Sequence, residues 1–175
     1  IDDVEEGDLW NFESGVAHSI QALDKGCEFL LVFSEANFSE NQTLLLSDWL
    51  AHTPDDIVAA NFKKTEEELA NLPKTEKYIF NGTIPGSIEA EKRTNPNGDV
   101  VNPLTLHLDK IAPIQSEAGR AWILDQKVFP AAKTISAAIV EVEPGGMREL
   151  HWHPKSSEWQ YYIKGQARMT VFNSN

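Results

Sequence analysis

The stretch Pro144–Gly165, PGGMRELHWHPKSSEWQYYIKG, constrains the fold more than any other part of the 175-residue chain. On a strand, residues two apart project to the same face. His151 and His153 therefore place both imidazoles on one side, and Leu150 and Trp152 take the other. Pro154–Ser157 reads as a short turn, after which Glu158 re-enters on the next strand with its carboxylate able to close on the same point. Gly165 and Gln166 form a tight connection into a further strand, ARMTVF. Two imidazoles and a carboxylate make a mixed nitrogen–oxygen set suited to manganese, iron or zinc, and the lack of a thiolate disfavours a structural zinc site.

The rest of the chain is β-patterned at both ends. DLWNF and AHSIQAL are split by Ser14-Gly15, and CEFLLVF follows a turn at Asp24–Gly26. Trp10, Phe12, Val16, Ile20, Leu23 and the run Phe29–Phe33 suit a β-core, in which the single cysteine, Cys27, is expected as a buried thiol. RAWILDQKVF and KTISAAIVEVE read as strands ahead of the histidine stretch.

Between them the period changes at Leu44. Thr53-Pro54-Asp55-Asp56 reads as a helix start with a threonine cap, and Ile57, Val58 and Phe62 supply its apolar face. Thr65–Glu68 reads as a second start, of the capping-box type, ending before Pro73. Residues 74–118 read as a connector punctuated by Pro85, Gly86, Pro96, Asn97-Gly98, Pro103 and Pro113, with EAEKRTNPNGD as solvated loop.

A formal net charge of -12 opposes binding to nucleic acid or to an anionic membrane surface. It leaves a small anionic substrate open, because a metal or an arginine can reverse the local field. No apolar run approaches the length of a membrane span. The chain opens IDDVEEGDLW, without an initiator Met or a leader-like segment. The expectation is that its start has been removed or that it is a piece of something longer, so the compartment is unknown from this end.

At this point the residues carry a resemblance. Gly145, five residues, His151-x-His153, four residues, Glu158, six residues and Gly165 resemble the first signature motif of the cupin superfamily. Gly7, Gly15 and His18 are spaced like the second motif, with Glu13 where that motif usually has Pro. In one cupin barrel the first motif precedes the second, and here the order is reversed. The chain therefore resembles the middle of a bicupin. The expected fold is mainly β, with double-stranded β-helix (jelly-roll) barrels. Residues 1–43 would end a first barrel and include a lid loop, 44–73 would be helical, 74–118 a linker, and 119–175 the start of a second barrel. DLWNFESGVAHSIQAL, EFLLVF, FSENQT, DWLAHTP, EKYIF and PGGMRELHWHP with EWQYYIKGQARMTVF together are similar to the bicupin oxalate decarboxylases, most loosely between Ile88 and Gln115.

The resemblance implies a carbon–carbon lyase that cleaves oxalate to formate and carbon dioxide, using manganese and a dioxygen that is needed but not consumed. The ligand set alone suits iron as well. His18 would ligate the metal of the first barrel, and His151, His153 and Glu158 that of the second. Glu40, in FSENQT, would be the lid acid that protonates the one-carbon fragment; read without the resemblance it is a solvated surface acid. Arg148 would bind the free end of the oxalate dianion beside the second metal, or else pair with Glu149 or face solvent. The implied partners are oxalate, the remainder of the chain's own bicupin and copies of itself in a trimer-based oligomer, with no nucleic acid and no membrane. His52 and His107 fit no ligand spacing and read as structural or exposed.

Three alternatives stay open: an oxalate oxidase, a non-catalytic metal-storage or structural bicupin, and a chain whose half-motifs are completed by a second copy. The chain by itself is expected to be inactive, with unpaired strand edges.

Overall fold

The structure is a computed structural model and describes residues 1–94 and 103–172. The turn signals at Pro96 and Asn97-Gly98 lie outside the described residues. In chain order the elements are β1 (Leu9–Trp10), α1 (Leu46–Ala51), α2 (Asp55–Phe62), α3 (Ile88–Thr94), β2 (Thr105–Leu106), β3 (Ile114–Ser116), β4 (Gly119–Leu124) and β5 (Ala137–Val142). β1 pairs antiparallel with β2, and β3-β4-β5 form an antiparallel sheet.

The core lies under β4. Its alternation turns Trp122 and Leu124 inward, against Leu106, Phe129, Ala131 and Ala132. The register sets Trp122 opposite Ile139 and Leu124 opposite Ala137, and both partners pack on the same cluster. The indole nitrogen of Trp122 donates to the Ile111 carbonyl at 2.9 Å, so the ring is buried without an orphaned N–H. After β4 the Asp125 carboxylate accepts from the amides of Lys127 (2.9 Å) and Val128 (3.3 Å), a side-chain turn that swings Phe129 back into the core. The expected strand RAWILDQKVF thus stops at Leu124, and KTISAAIVEVE is strand over Ala137–Val142.

β1 attaches the N-terminal stretch to this core. Leu9 faces Leu106 and Trp10 faces Thr105, and the Asn11 amide extends the ladder to the Leu104 carbonyl at 2.8 Å. Beside the ladder His107 is held between two carboxylates, Nδ1 to Asp8 at 2.9 Å and Nε2 to Asp2 at 3.2 Å. The Leu108 amide donates to the other Asp8 oxygen at 2.9 Å, and the Thr105 hydroxyl donates to Asp2 at 2.7 Å. His107 is structural, as expected, whereas His52 is an exposed side chain paired with Asp48 one turn earlier.

The helical stretch differs from expectation at its caps. Thr53 does not cap α2: its hydroxyl donates back to the Trp49 carbonyl at 2.7 Å, closing α1, and Pro54 takes the capping position. α2 ends at Lys63, whose left-handed backbone (φ 53°) returns amides to Ala59 and Ala60. Thr65 and Glu68 make the reciprocal capping-box bonds, at 2.8 and 3.3 Å, but no α-helix follows. The amides of Leu69 and Ala70 bond three residues back, and Pro73 ends the segment before the cost of nucleation is recovered. Part of the stretch read as solvated loop is instead α3, started by the Ser87 hydroxyl, which accepts the Ala90 amide at 3.4 Å.

Two further expectations are corrected. Cys27 is exposed, not buried, and Phe29–Phe33 stand about half exposed with it, because no described segment lies over this apolar run. AHSIQAL, CEFLLVF, MRELHWH, EWQYYI and ARMTVF carry no strand pairing among the described residues. A strand is defined by its neighbour's hydrogen bonds, and none is placed beside these.

Candidate metal centre

The donors of the histidine stretch come together as their spacing predicts. One ligand atom each from His151, His153 and Glu158 lies within 4.8 Å of the other two, and all three side chains are exposed. Among the described residues this is the group of three or more such donors that converges. The imidazoles stand edge to face, with ring centres 5.2 Å apart. Gly165 has φ +80°, a left-handed turn residue that lets the chain reverse after Ile163.

Each donor is oriented by a second contact. Nδ1 of His151 lies 2.6 Å from the Glu149 carbonyl, which can only accept, so this nitrogen carries the proton and Nε2 presents its lone pair. Nε2 of His153 lies 2.9 Å from a Glu158 oxygen, so these two ligand atoms already face one another. The second Glu158 oxygen accepts from the Gln160 amide at 2.6 Å. That hydrogen bond, opposed by partial burial and reinforced by the two imidazoles, holds the Glu158 carboxyl below the ordinary glutamate range. Nitrogen, nitrogen and an ionised oxygen with outer hydrogen bonds fit a divalent first-row metal, and the exposed open side leaves room for further ligands. Arg148 is exposed and pairs with no carboxylate among the described residues, Glu149 included.

His18 stands apart from that group. Its Nδ1 donates to the Val16 carbonyl at 2.8 Å, the arrangement seen at His151, and leaves Nε2 as the available ligand atom. Glu40 opens a single 3-10 turn, Glu40–Gln42, closed by the Thr43 amide on the Glu40 carbonyl at 2.8 Å. Ahead of it Phe33 and Phe38 stack at 3.6 Å and tie off the four residues between them. The Glu40 carboxylate accepts a hydrogen bond from the Tyr78 hydroxyl, which pushes the phenol above its usual range. Sequence reasoning missed Tyr78, because EKYIF carries no spacing that ties it to the Glu40 turn.

The model of the family described as Cupin matches residues 1–70 and 106–175. The chain is 58% identical over 175 residues to the oxalate decarboxylase OxdC of Bacillus subtilis, covering 100% of this chain and 46% of that protein. It is 36% identical to a probable oxalate decarboxylase of Arthroderma benhamiae, over 98% of this chain and 43% of that one. Among solved structures, Lactobacillus farciminis oxalate decarboxylase in its formate complex superposes with a TM-score of 0.83 at 69% identity, over 88% of this chain and 46% of that one. Bacillus subtilis oxalate decarboxylase, an enzyme with Mn(II) centres, gives a TM-score of 0.82 at 56% identity, over 88% of this chain and 41% of that one. The chain thus spans a little under half the length of the relatives it matches. With a family match on both sides of the connector and the donors of the motif brought together, the chain belongs to the cupin family.

Proposed function

We propose that the chain is the central part of a manganese-dependent bicupin oxalate decarboxylase, which converts oxalate to formate and carbon dioxide. The observation that carries this reading is the convergence of His151, His153 and Glu158 to within 4.8 Å, in a chain 58% identical throughout to an oxalate decarboxylase. His151, His153 and Glu158 hold manganese in the second barrel, and His18 contributes to a first site. The remainder of the protein supplies the other ligands and the strands that pair with the exposed segments, in a trimer-based assembly. Manganese would supply a Lewis acid that holds a substrate carboxylate and, with dioxygen needed but not consumed, a one-electron redox centre.

The chain's own residues do the rest. The carbon–carbon bond of oxalate breaks with its electron pair left on the carbon that becomes formate, and that carbon must take a proton. Glu40 sits on a turn short enough to move as a lid and is the proposed donor. The Tyr78 hydroxyl, hydrogen-bonded to its carboxylate, orients the Glu40 side chain on that turn. Arg148, exposed and without a carboxylate partner among the described residues, keeps its guanidinium for the free end of the dianion.

The test is an assay of the full-length gene product loaded with manganese. Formate and carbon dioxide in equal amounts, with no net dioxygen uptake, are expected. Hydrogen peroxide with little formate would make the protein an oxidase. Manganese retained without turnover would make it a storage or structural bicupin.

A further inference from the structure

The segment Ala131–Lys133 grips both residues that flank Phe12. The Asn11 side-chain amide donates to the Ala131 carbonyl at 2.9 Å, and Lys133 Nζ donates to Glu13 Oε1 at 2.7 Å. The grip starts from rigid ground, since Ala131 and Ala132 are buried with Phe129 and Leu124 in the core. Between the two tethers Phe12 lies face to face on the His18 imidazole, with ring centres 3.6 Å apart and planes 10° from parallel. Trp10 also stacks on Phe12, with ring centres 5.5 Å apart. His18 is therefore fixed on one face by Phe12 and at Nδ1 by the Val16 carbonyl, and only Nε2 is left to act.

We propose that Phe12 is a positioning residue for His18, and that Asn11–Ala131 and Glu13–Lys133 brace it, so the ring plane of a first-site ligand is set from the second half of the chain. The inference rests on the reading of His18 as a manganese ligand. An exposed imidazole turns freely about its side-chain bonds, and a ligand that must be frozen on binding binds more weakly than one already held. Glu13 shows why the brace reaches so far. Proline, usual at this place in the cupin motif, stiffens a turn through its own ring. Glutamate gives up that stiffness and instead ties the turn to Lys133. The ion pair is exposed and adds little alone, so the ring stack and the Asn11 bond carry most of the effect.

The experiment is a competitive-chelator titration of Mn(II) in the full-length protein, with the Mn(II) electron paramagnetic resonance signals used to tell the two sites apart. His18→Ala is expected to abolish tight binding at the first site. Phe12→Ala should weaken first-site affinity about tenfold, leave the second site unchanged, and broaden the first-site signal. Phe12→Tyr should restore both. Glu13→Lys should weaken the first site about threefold by repelling Lys133, and Glu13→Lys with Lys133→Glu should recover it. The brace is overturned if His18→Ala loses the first site while Phe12→Ala binds there as tightly as the unmodified protein. Should Phe12→Ala fail to fold, Glu13→Lys binding as tightly as both the parent and the charge-swapped double variant overturns it. If His18→Ala keeps both manganese ions, the reading of His18 as a ligand falls first and the brace with it.

Discussion

Glu40 and Glu158 are both exposed acids, yet their neighbours give them different chemistry. Glu158 takes hydrogen bonds from Gln160 and His153 and is held ionised, as a ligand must be. Glu40 has one neutral partner, the Tyr78 hydroxyl, and sits on a turn three residues long. A group that can carry a proton to substrate is worth about 10²–10⁴ in rate. Glu40→Gln keeps the size and removes the proton, so formate production by the full-length enzyme should fall within that range while manganese content stays unchanged. Glu158→Ala should do the reverse in kind: it strips one donor and leaves Nε2 of His153 unpartnered, so metal analysis should show second-site manganese lost. The convergence of His151, His153 and Glu158 was legible in the sequence because it needs only an extended backbone through the two histidines and one short turn, with no strand pairing. Tyr78 was not, since its meeting with Glu40 depends on how the helical stretch between them folds back. That path is tertiary.

At the scale of elements, β4 shows what local patterning can and cannot carry. The inward Trp122 and Leu124 follow from alternation, but the end of the strand at Leu124 is set by the Asp125 turn, a side-chain effect that hydrophobic periodicity does not record. The caps around α2 failed for a related reason: Thr53 had two carbonyl and amide environments within reach and bonded to Trp49 behind it. The start of β4 makes a test. Gly119 has φ +147°, and a Cβ built there would stand 2.1 Å from the Glu141 carbonyl oxygen. Gly119→Ala therefore has to break the β4–β5 ladder at its Gly119–Val142 end or distort the backbone. It should lower the unfolding free energy of the full-length protein by about 1–3 kcal/mol, read as a fall in the urea midpoint. An unchanged midpoint would mean that the edge of the sheet yields freely.

The whole molecule exposes 15,723 Å², whereas a folded monomer of 19.6 kDa is expected to expose about 8,600 Å². The apolar runs near His18 and His151 account for much of the excess, with Phe29, Leu30, Leu31, Trp152 and Trp159 all more than half exposed. The β-character of these runs was legible from alternation, but their burial was not a property of these residues alone, because a barrel strand is covered by strands from elsewhere. The core under β4 is joined to the N-terminal stretch at β1–β2 and the His107 clamp, and there a pH dependence follows. The Asp8 hydrogen bond, then Asp2, raises His107 above its usual range against partial burial and Lys110. Burial works to raise Asp2 and Asp8, but hydrogen bonds from Thr105 and His107 to Asp2, and from Leu108, Glu5 and His107 to Asp8, with the imidazolium charge, bring both below the usual range; Lys92 adds to the effect at Asp2. A raised histidine contributes stability that is complete below its unfolded value and is lost as pH rises through its folded one. A lowered aspartate contributes stability that is complete above its unfolded value and is lost as pH falls through its folded one. The clamp is therefore strongest between about pH 4 and pH 6.5. Removing the imidazolium with His107→Gln should lower the unfolding free energy of the full-length protein by about 1 kcal/mol in that window. The deficit should shrink toward pH 8 as His107 deprotonates, and toward pH 3 as Asp2 and Asp8 protonate. Urea midpoints of parent and variant across that range decide it, and a deficit that grows with rising pH would show that the histidine acts as a neutral hydrogen-bonding ring and not as a charge between two carboxylates.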